Sequence, residues 1–164
     1  MKITSAMHPL RERRFPGSEQ DSYRTGFKFE SPTLCPECHA VFHTGRWQWL
    51  RDWPADAHRQ TCPACRRIQD HYPAGWLSLK GAFVREHRAE FIAIARHAQE
   101  AENRDHPLHR IMRIADQPGG LMITTTDIHL PRRIGEALRR AHKGEFNIHY
   151  DVGGCTVRAE WTRE

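Results

Sequence analysis

Two Cys-x2-Cys pairs separated by 23 residues constrain the fold of this chain more than any other feature of its sequence. The first pair is Cys35 and Cys38 in TLCPECHAVF, and the second is Cys62 and Cys65 in TCPACRR. Four thiolates on two tight turns suit the tetrahedral coordination that zinc prefers in structural sites. The spacing therefore predicts one Zn²⁺ ion held by these four cysteines.

The predicted metal site has a structural role. Four sulfur ligands leave no coordination position for water or a substrate, so the ion should fold its module rather than catalyse a reaction. Because VFHTGRWQWL is strand-like, we predict a zinc ribbon in which short antiparallel strands clamp two knuckles. Iron in a rubredoxin-like site remains open to the same ligands. Four neighbouring histidines could also replace one cysteine: His39, His43, His58 and His71.

The amino-terminal sequence MKITSAMHPLRERRF lacks the continuous apolar segment of a signal peptide or membrane helix. We therefore expect a cytoplasmic protein with no membrane partner. In that reducing compartment, paired cysteines are metal ligands more often than disulfides.

Patterning divides the chain into three segments. Residues 1–30 are basic and lack periodicity, which predicts a disordered tail. Residues 31–76 contain the cysteine pairs and form the predicted zinc ribbon. Residues 77–164 carry the periodicity of a folded α+β sandwich domain.

The predicted sandwich has the order α-β-β-α-β-β. Apolar residues recur at three- and four-residue steps over residues 79–103 and 127–143, which predicts two helices. Alternating apolar residues flank QPGG and VGG, which predicts two β-hairpins. Both helices have one apolar stripe and can lie on the same face of a four-stranded antiparallel sheet. This arrangement corresponds to a circularly permuted ferredoxin-like fold.

No catalytic constellation stands out, so we expect no enzymatic activity. Cys155 falls on the predicted inward face of a strand, where a buried and inert thiol is the usual interpretation. HRAE, residues 87–90, has the spacing of di-metal helices, but the second helix offers no matching ligand set. QPGG does not match a phosphate-binding glycine loop.

Basic residues suggest an RNA partner. The chain has 25 Lys+Arg against 20 Asp+Glu, and part of this excess follows one side of the second predicted helix. Two more arginines follow the second cysteine pair, and with Trp47, Trp49 and Trp53 of the predicted ribbon they would add a second basic and aromatic surface. The candidate nucleic-acid contacts are Arg66, Arg67, Arg132, Arg133, Arg139, Arg140 and Lys143. The simpler interpretation of the basic helix residues is a solvated face with no partner. The alternative function is a protein–protein adaptor or regulator that docks a polypeptide on its tryptophans.

Three further blocks follow the cysteine pairs: DHYPAGWLSLKGAFVREH, HPLHRIMRIAD and ITTTDIHLPRRIGEALRRAHKGEF. Over roughly residues 31–161 the chain resembles small bacterial zinc-ribbon proteins related to the adaptor that exports the large ribosomal subunit in eukaryotes and archaea. The resemblance implies binding to the large subunit without catalysis, with the metal held by Cys35, Cys38, Cys62 and Cys65. The adaptor has more cysteine pairs and further domains, so its ribosomal contacts do not transfer to this chain.

Overall fold

The computed structural model describes Tyr23 and residues 29–164. The predicted disordered tail therefore falls almost entirely outside the described residues. No helix in the described part of the chain combines the length and hydropathy that crossing a membrane requires.

The cysteine-containing part forms a small four-stranded sheet and one helix. The strands are β1 (Thr33–Leu34), β2 (Val41–His43), β3 (Arg46–Gln48) and β4 (His58–Arg59), in the spatial order β3-β2-β1-β4. Thr44 and Gly45 join β2 to β3 with φ of 50° and 83°, as a tight hairpin turn requires. The helix α1 (Pro63–Gln69) follows β4 and begins at the second cysteine pair.

The second cysteine pair differs from the predicted ribbon knuckle. β4 pairs with β1 in parallel, and Cys62 is the N-cap of α1. The module is therefore one knuckle, one hairpin and one helix, because the chain turns into a helix after Cys62 instead of returning as an antiparallel strand.

The rest of the chain forms a five-stranded sheet covered by helices. Its elements are β5 (Gly75–Lys80), α2 (Ala82–Glu86), α3 (Arg88–Asn103), β6 (Ile111–Gln117), β7 (Gly120–Thr125), α4 (Leu130–Ala141), β8 (Glu145–Tyr150) and β9 (Val157–Thr162). The spatial order is β6-β7-β5-β9-β8, with β5 and β9 parallel and the other pairs antiparallel.

One continuous core fills the space between this sheet and the helices. Leu77, Leu79, Leu121, Ile123 and Trp161 project from the sheet and are at most 1% exposed. The helices contribute Phe91 and Ala95 from α3 and Leu130, Ile134 and Leu138 from α4. Both long helices therefore lie on the same face of the sheet, as their single apolar stripes predict.

The sheet itself departs from the prediction of four antiparallel strands. The segment from residue 75 is the central strand β5, and the predicted helix over residues 79–103 begins only after it. Gly81 has φ of 118°, and a side chain there would overlap the carbonyl oxygen of Arg163, so the chain turns sharply between β5 and α2. A second break at His87 separates α2 from α3.

The two predicted hairpins and the second predicted helix are confirmed. Phe146, Ile148 and Tyr150 lie opposite Trp161, Ala159 and Val157 in the β8–β9 pair. The helix begins later than predicted, with His129 as its N-cap residue, and the carboxylate of the predicted cap Asp127 accepts hydrogen bonds from the N–H groups of His129 and Leu130. Cys155 lies in the loop before β9 and not on the strand.

Candidate metal centre

The four paired cysteines meet at one point. Their sulfur atoms all lie within 4.8 Å of one another, and three of the four residues are buried. Cys38 Sγ and Cys62 Sγ are 3.8 Å apart. Tetrahedral zinc with Zn–S bonds of about 2.3 Å places its sulfurs about 3.8 Å apart. The cluster can therefore hold one metal ion with four-sulfur coordination.

Local backbone geometry orients the sulfurs. The first pair occupies a tight turn between β1 and β2, closed by a hydrogen bond of 2.9 Å from Cys35 N–H to the Ala40 carbonyl. His39 adopts φ of 65° in this turn. At the second pair, Cys65 N–H lies 3.4 Å from Cys62 Sγ and Cys62 N–H lies 3.3 Å from Cys35 Sγ. Backbone N–H groups thus stabilise negative charge on the sulfurs.

A cation from the other part of the chain also contacts the cluster. The guanidinium of Arg110, just before β6, donates to Cys65 Sγ at 3.4 Å, Cys38 Sγ at 3.3 Å and Cys62 Sγ at 3.4 Å. Burial alone would lower the pKa of Arg110, but the hydrogen bond to Cys65 and the charges of the other cysteines raise it overall. The guanidinium therefore stays charged and offsets the charge of the thiolates. Sequence reasoning missed this residue, which has no fixed spacing to the cysteines.

The loop that carries Arg110 is held at both ends. Asn103 Nδ2 donates to the carbonyls of Pro107 and His109 at 3.1 and 3.3 Å, and Thr126 Oγ1 accepts from Arg110 N–H at 2.9 Å. Trp49 Nε1 donates to the Asn103 carbonyl at 2.7 Å. These contacts join the metal module to the loop between α3 and β6.

Metal binding must compete with protons at this site. Burial raises the pKa of the Cys65 thiol to about 11, against the lowering effect of Arg110. A thiol with this pKa is protonated at neutral pH until a metal displaces the proton.

The structure separates the candidate RNA contacts into three kinds. Arg67 is 3% exposed, donates to the Tyr72 carbonyl at 3.1 Å and lies over the Tyr23 ring, so it packs inside the protein and not on a basic surface. Arg66 is half-buried. Arg132 and Arg133 are exposed but pair with Glu136 at 3.0 Å and Glu102 at 3.4 Å. Of the seven candidates, Arg139, Arg140 and Lys143 are exposed and form no ion pair with the described residues.

The three tryptophans of the metal module also differ. Trp47 packs against Phe29 and Phe42 in the small core. Trp49 and Trp53 are 41% and 38% exposed, and the Trp53 ring stacks on His39.

A second polar cluster lies beside Arg110. His109 Nδ1 is 3.0 Å from Glu102 Oε1 and 3.6 Å from Asp127 Oδ2. Burial lowers the pKa of His109 although Glu102 opposes the shift, so the ring is neutral at pH 7. Asp127 has a side chain only 10% exposed, and burial raises its pKa to about 6 against the hydrogen bonds from His129 and Leu130.

The pH dependence of the protein's stability should reflect the buried carboxyl of Asp127. Since its pKa in the fold exceeds the unfolded value of 3.8, the protonated form stabilises the fold, and this contribution is lost as pH rises through about 6. Between about pH 5 and 7.5 the wild type should lose about 1–2 kcal/mol of stability relative to Asp127→Asn, whose amide oxygen can still accept the N–H groups of His129 and Leu130. Urea unfolding of both proteins at the two pH values measures this difference. A constant difference would contradict the assignment.

No model of a known protein family matches this chain, and no curated protein matches it at a significant level.

Proposed function

We propose that this is a non-enzymatic RNA-binding protein, associated with ribosomes and stabilised by one structural zinc ion at Cys35, Cys38, Cys62 and Cys65. The observation that carries the proposal is the group of exposed cations at the carboxyl end of α4: Arg139, Arg140 and Lys143. These three residues have no acidic partner within the described part of the chain. The sequence resemblance supports the large ribosomal subunit as the partner.

The free cations suit a polyanion. Arg132 and Arg133, near the start of α4, have their charges partly offset by carboxylates, whereas the cations at the other end remain available for phosphates. Cations at a helix carboxyl end also stabilise the helix dipole, so a test of the contact has to measure salt dependence and not stability.

Zinc fits the cysteine cluster without further groups. Four sulfurs would complete its coordination, so the ion would hold the small sheet and α1 together and leave no position for a reactant. Metal analysis distinguishes zinc from iron, and an iron-loaded protein would be coloured.

A protein–protein adaptor is the second candidate, favoured by the exposed rings of Trp49 and Trp53. An adaptor should capture its partner after RNase treatment, and reversing helix charges should have little effect on capture. An RNA-binding protein should instead lose its ribosomal co-sedimentation as salt increases.

Reversing two of the free charges should weaken RNA binding. At about 0.1 M salt, Arg139→Glu with Arg140→Glu should lower affinity for ribosomal RNA by roughly tenfold or more and flatten the plot of log affinity against log salt by about 1.5–2 units. The fold should survive, because the buried stripe of Leu130, Ile134 and Leu138 is unchanged. Circular dichroism checks the fold, and a salt-dependent RNA titration measures the effect.

A matched control separates local contact from net charge. Arg85→Glu with Arg113→Glu makes the same charge change at exposed positions on α2 and β6 and should retain most of the affinity and the slope. If the α4 variant is folded and binds like the wild type, the proposed contact surface is wrong.

A further inference from the structure

Both long helices, α3 and α4, pack on one face of the five-stranded sheet, so neither of them covers the other face. Trp76 of β5, Arg158 of β9 and His149 of β8 lie opposite one another in the strand register. Their sequence neighbours Leu77 and Ala159 pack in the core. Because successive side chains of a strand point to opposite faces, the three residues form one row across the open face.

A shallow depression of about 330 Å³ lies on this open face. Trp76, Arg158 and His149 line it together with Ser78, Met122 and Asn147. The depression does not include Arg113, which belongs to the edge strand β6. Its volume falls within the about 300–1,000 Å³ of ligand pockets, so it has room for a ring and its substituents.

The row consists of flat side chains. The Arg158 guanidinium lies over the Trp76 ring, 4.5 Å from the ring centroid. Trp76 is half-buried, whereas Arg158 and His149 are exposed, so the outer side of this stack faces solvent. Tryptophan, histidine and arginine are side chains on which proteins stack unpaired bases. A flat ring placed on the outer face of the guanidinium would therefore continue the stack.

The charge of the depression favours an anionic ligand. Glu160 is the one carboxylate in its lining, and Lys80 Nζ neutralises it at 2.5 Å. Arg158 forms no ion pair with the described residues, so its charge is not offset. A chain of flat rings linked by phosphates matches both the stacking surface and this charge. An acidic peptide would match the charge alone, and a neutral ring would match the stacking surface alone.

We propose that the open face of the sheet binds single-stranded RNA, with one unpaired base stacked on the Arg158 guanidinium above Trp76. The planar face of the guanidinium takes the base, and its N–H edge can donate to the adjoining phosphate. The exposed amide of Asn147 offers a donor and an acceptor to a base edge. The inference rests on the proposed function, and it adds a contact that requires unpaired bases to the phosphate contacts of α4.

Short oligonucleotides separate stacking from charge. Zinc-loaded full-length protein is titrated with a single-stranded RNA of about twelve nucleotides and mixed sequence, which carries one fluorescent aminopurine base. The same strand annealed to its complement is the comparison, because a duplex has the phosphates but no free base faces. The single strand should bind several-fold more tightly than the duplex, and stacking on the protein should change the aminopurine fluorescence.

Arg158→Lys is the informative variant. Lysine keeps the positive charge but has no flat surface, so affinity for the single strand should fall about fivefold or more and affinity for the duplex should stay the same. Trp76→Leu should act in the same direction, because the guanidinium loses the ring that supports it. Arg85→Lys, at an exposed position of α2, is the matched control and should bind like the wild type. Arg158 is exposed, so its variant tests the site even if Trp76→Leu fails to fold.

The outcomes separate this site from the proposed function. Unchanged single-strand affinity in folded Arg158→Lys, or equal affinity for single strand and duplex, would overturn the site even if ribosomal RNA still binds through α4. Competition by polyglutamate as strong as by the single strand would assign the depression to an acidic polypeptide, and the inference would be wrong. Arg158-dependent binding of the short strand without any binding of ribosomes or ribosomal RNA would retain the site and reject the proposed function.

Discussion

Replacing Cys62 by serine should release the metal and unfold residues 31–73, while the five-stranded sheet and its helices remain folded. Cys62 is fully buried, begins α1, and its sulfur accepts hydrogen bonds from Cys65 N–H and Arg110. The strands of this module have two or three residues each, so they cannot supply a core of their own. A structural zinc contributes about 10–16 kcal/mol of apparent binding free energy in small modules, which is enough to decide folding.

Metal analysis and hydrogen exchange check this expectation. The wild type should contain one zinc per chain, and Cys62→Ser should contain none and lose protection only in residues 31–73. Cys155→Ser is the matched control, because Cys155 is not part of the four-cysteine cluster. A metal-free wild type, purified without chelator and still folded in this module, would contradict the structural role of the metal.

Replacing Arg110 by methionine should weaken metal binding by about 10–100-fold without unfolding the core, since residues that support metal ligands typically have effects of this size. The four-thiolate zinc site carries two negative charges in excess of the metal. Arg110 is the cation that hydrogen-bonds three of these sulfurs, and methionine keeps its apolar length but removes the charge. Arg110→Lys should have a smaller effect, because one ammonium group cannot reproduce the planar fork of a guanidinium.

Zinc transfer to a chromophoric chelator measures this effect. Arg113→Met provides the control, since Arg113 is an exposed arginine in β6. Hydrogen exchange should also show faster opening of the loop between α3 and β6 in the Arg110 variant, because its contact with the metal module is lost. Metal retention equal to that of the wild type would show that the backbone N–H groups alone stabilise the thiolates.

Local patterns determined the elements that depend on local interactions. The two hairpins follow from alternating residues around short turns, and α4 follows from its apolar stripe, its early Pro131 and the Asp127 carboxylate just before it. The candidate metal ligands are equally local, because each pair shares one turn and a metal site requires only that the two turns meet.

The central strand was not recognised from the sequence for a physical reason. Leu77 and Leu79 of β5 are fully buried, and the step from Leu79 to Phe83 matches helical spacing as well as strand alternation. Only pairing with β7 and with β9, both distant in sequence, distinguishes a strand from a helix here. The parallel β5–β9 pair and the five-strand order therefore depend on non-local contacts that no short window contains.

The same division applies to the candidate sites. Sequence spacing alone predicted that Cys35, Cys38, Cys62 and Cys65 meet in one cluster that could hold a metal ion, because metal coordination selects residue type and local spacing. Only the tertiary structure places Arg110, 45 residues beyond Cys65, against the sulfurs and buries Arg67 among aromatic rings. The burial of a side chain, and hence the charge that it presents to a ligand, depends on which distant segments pack together. In this protein, the packing of the metal module against the rest of the chain determines the surroundings of both arginines.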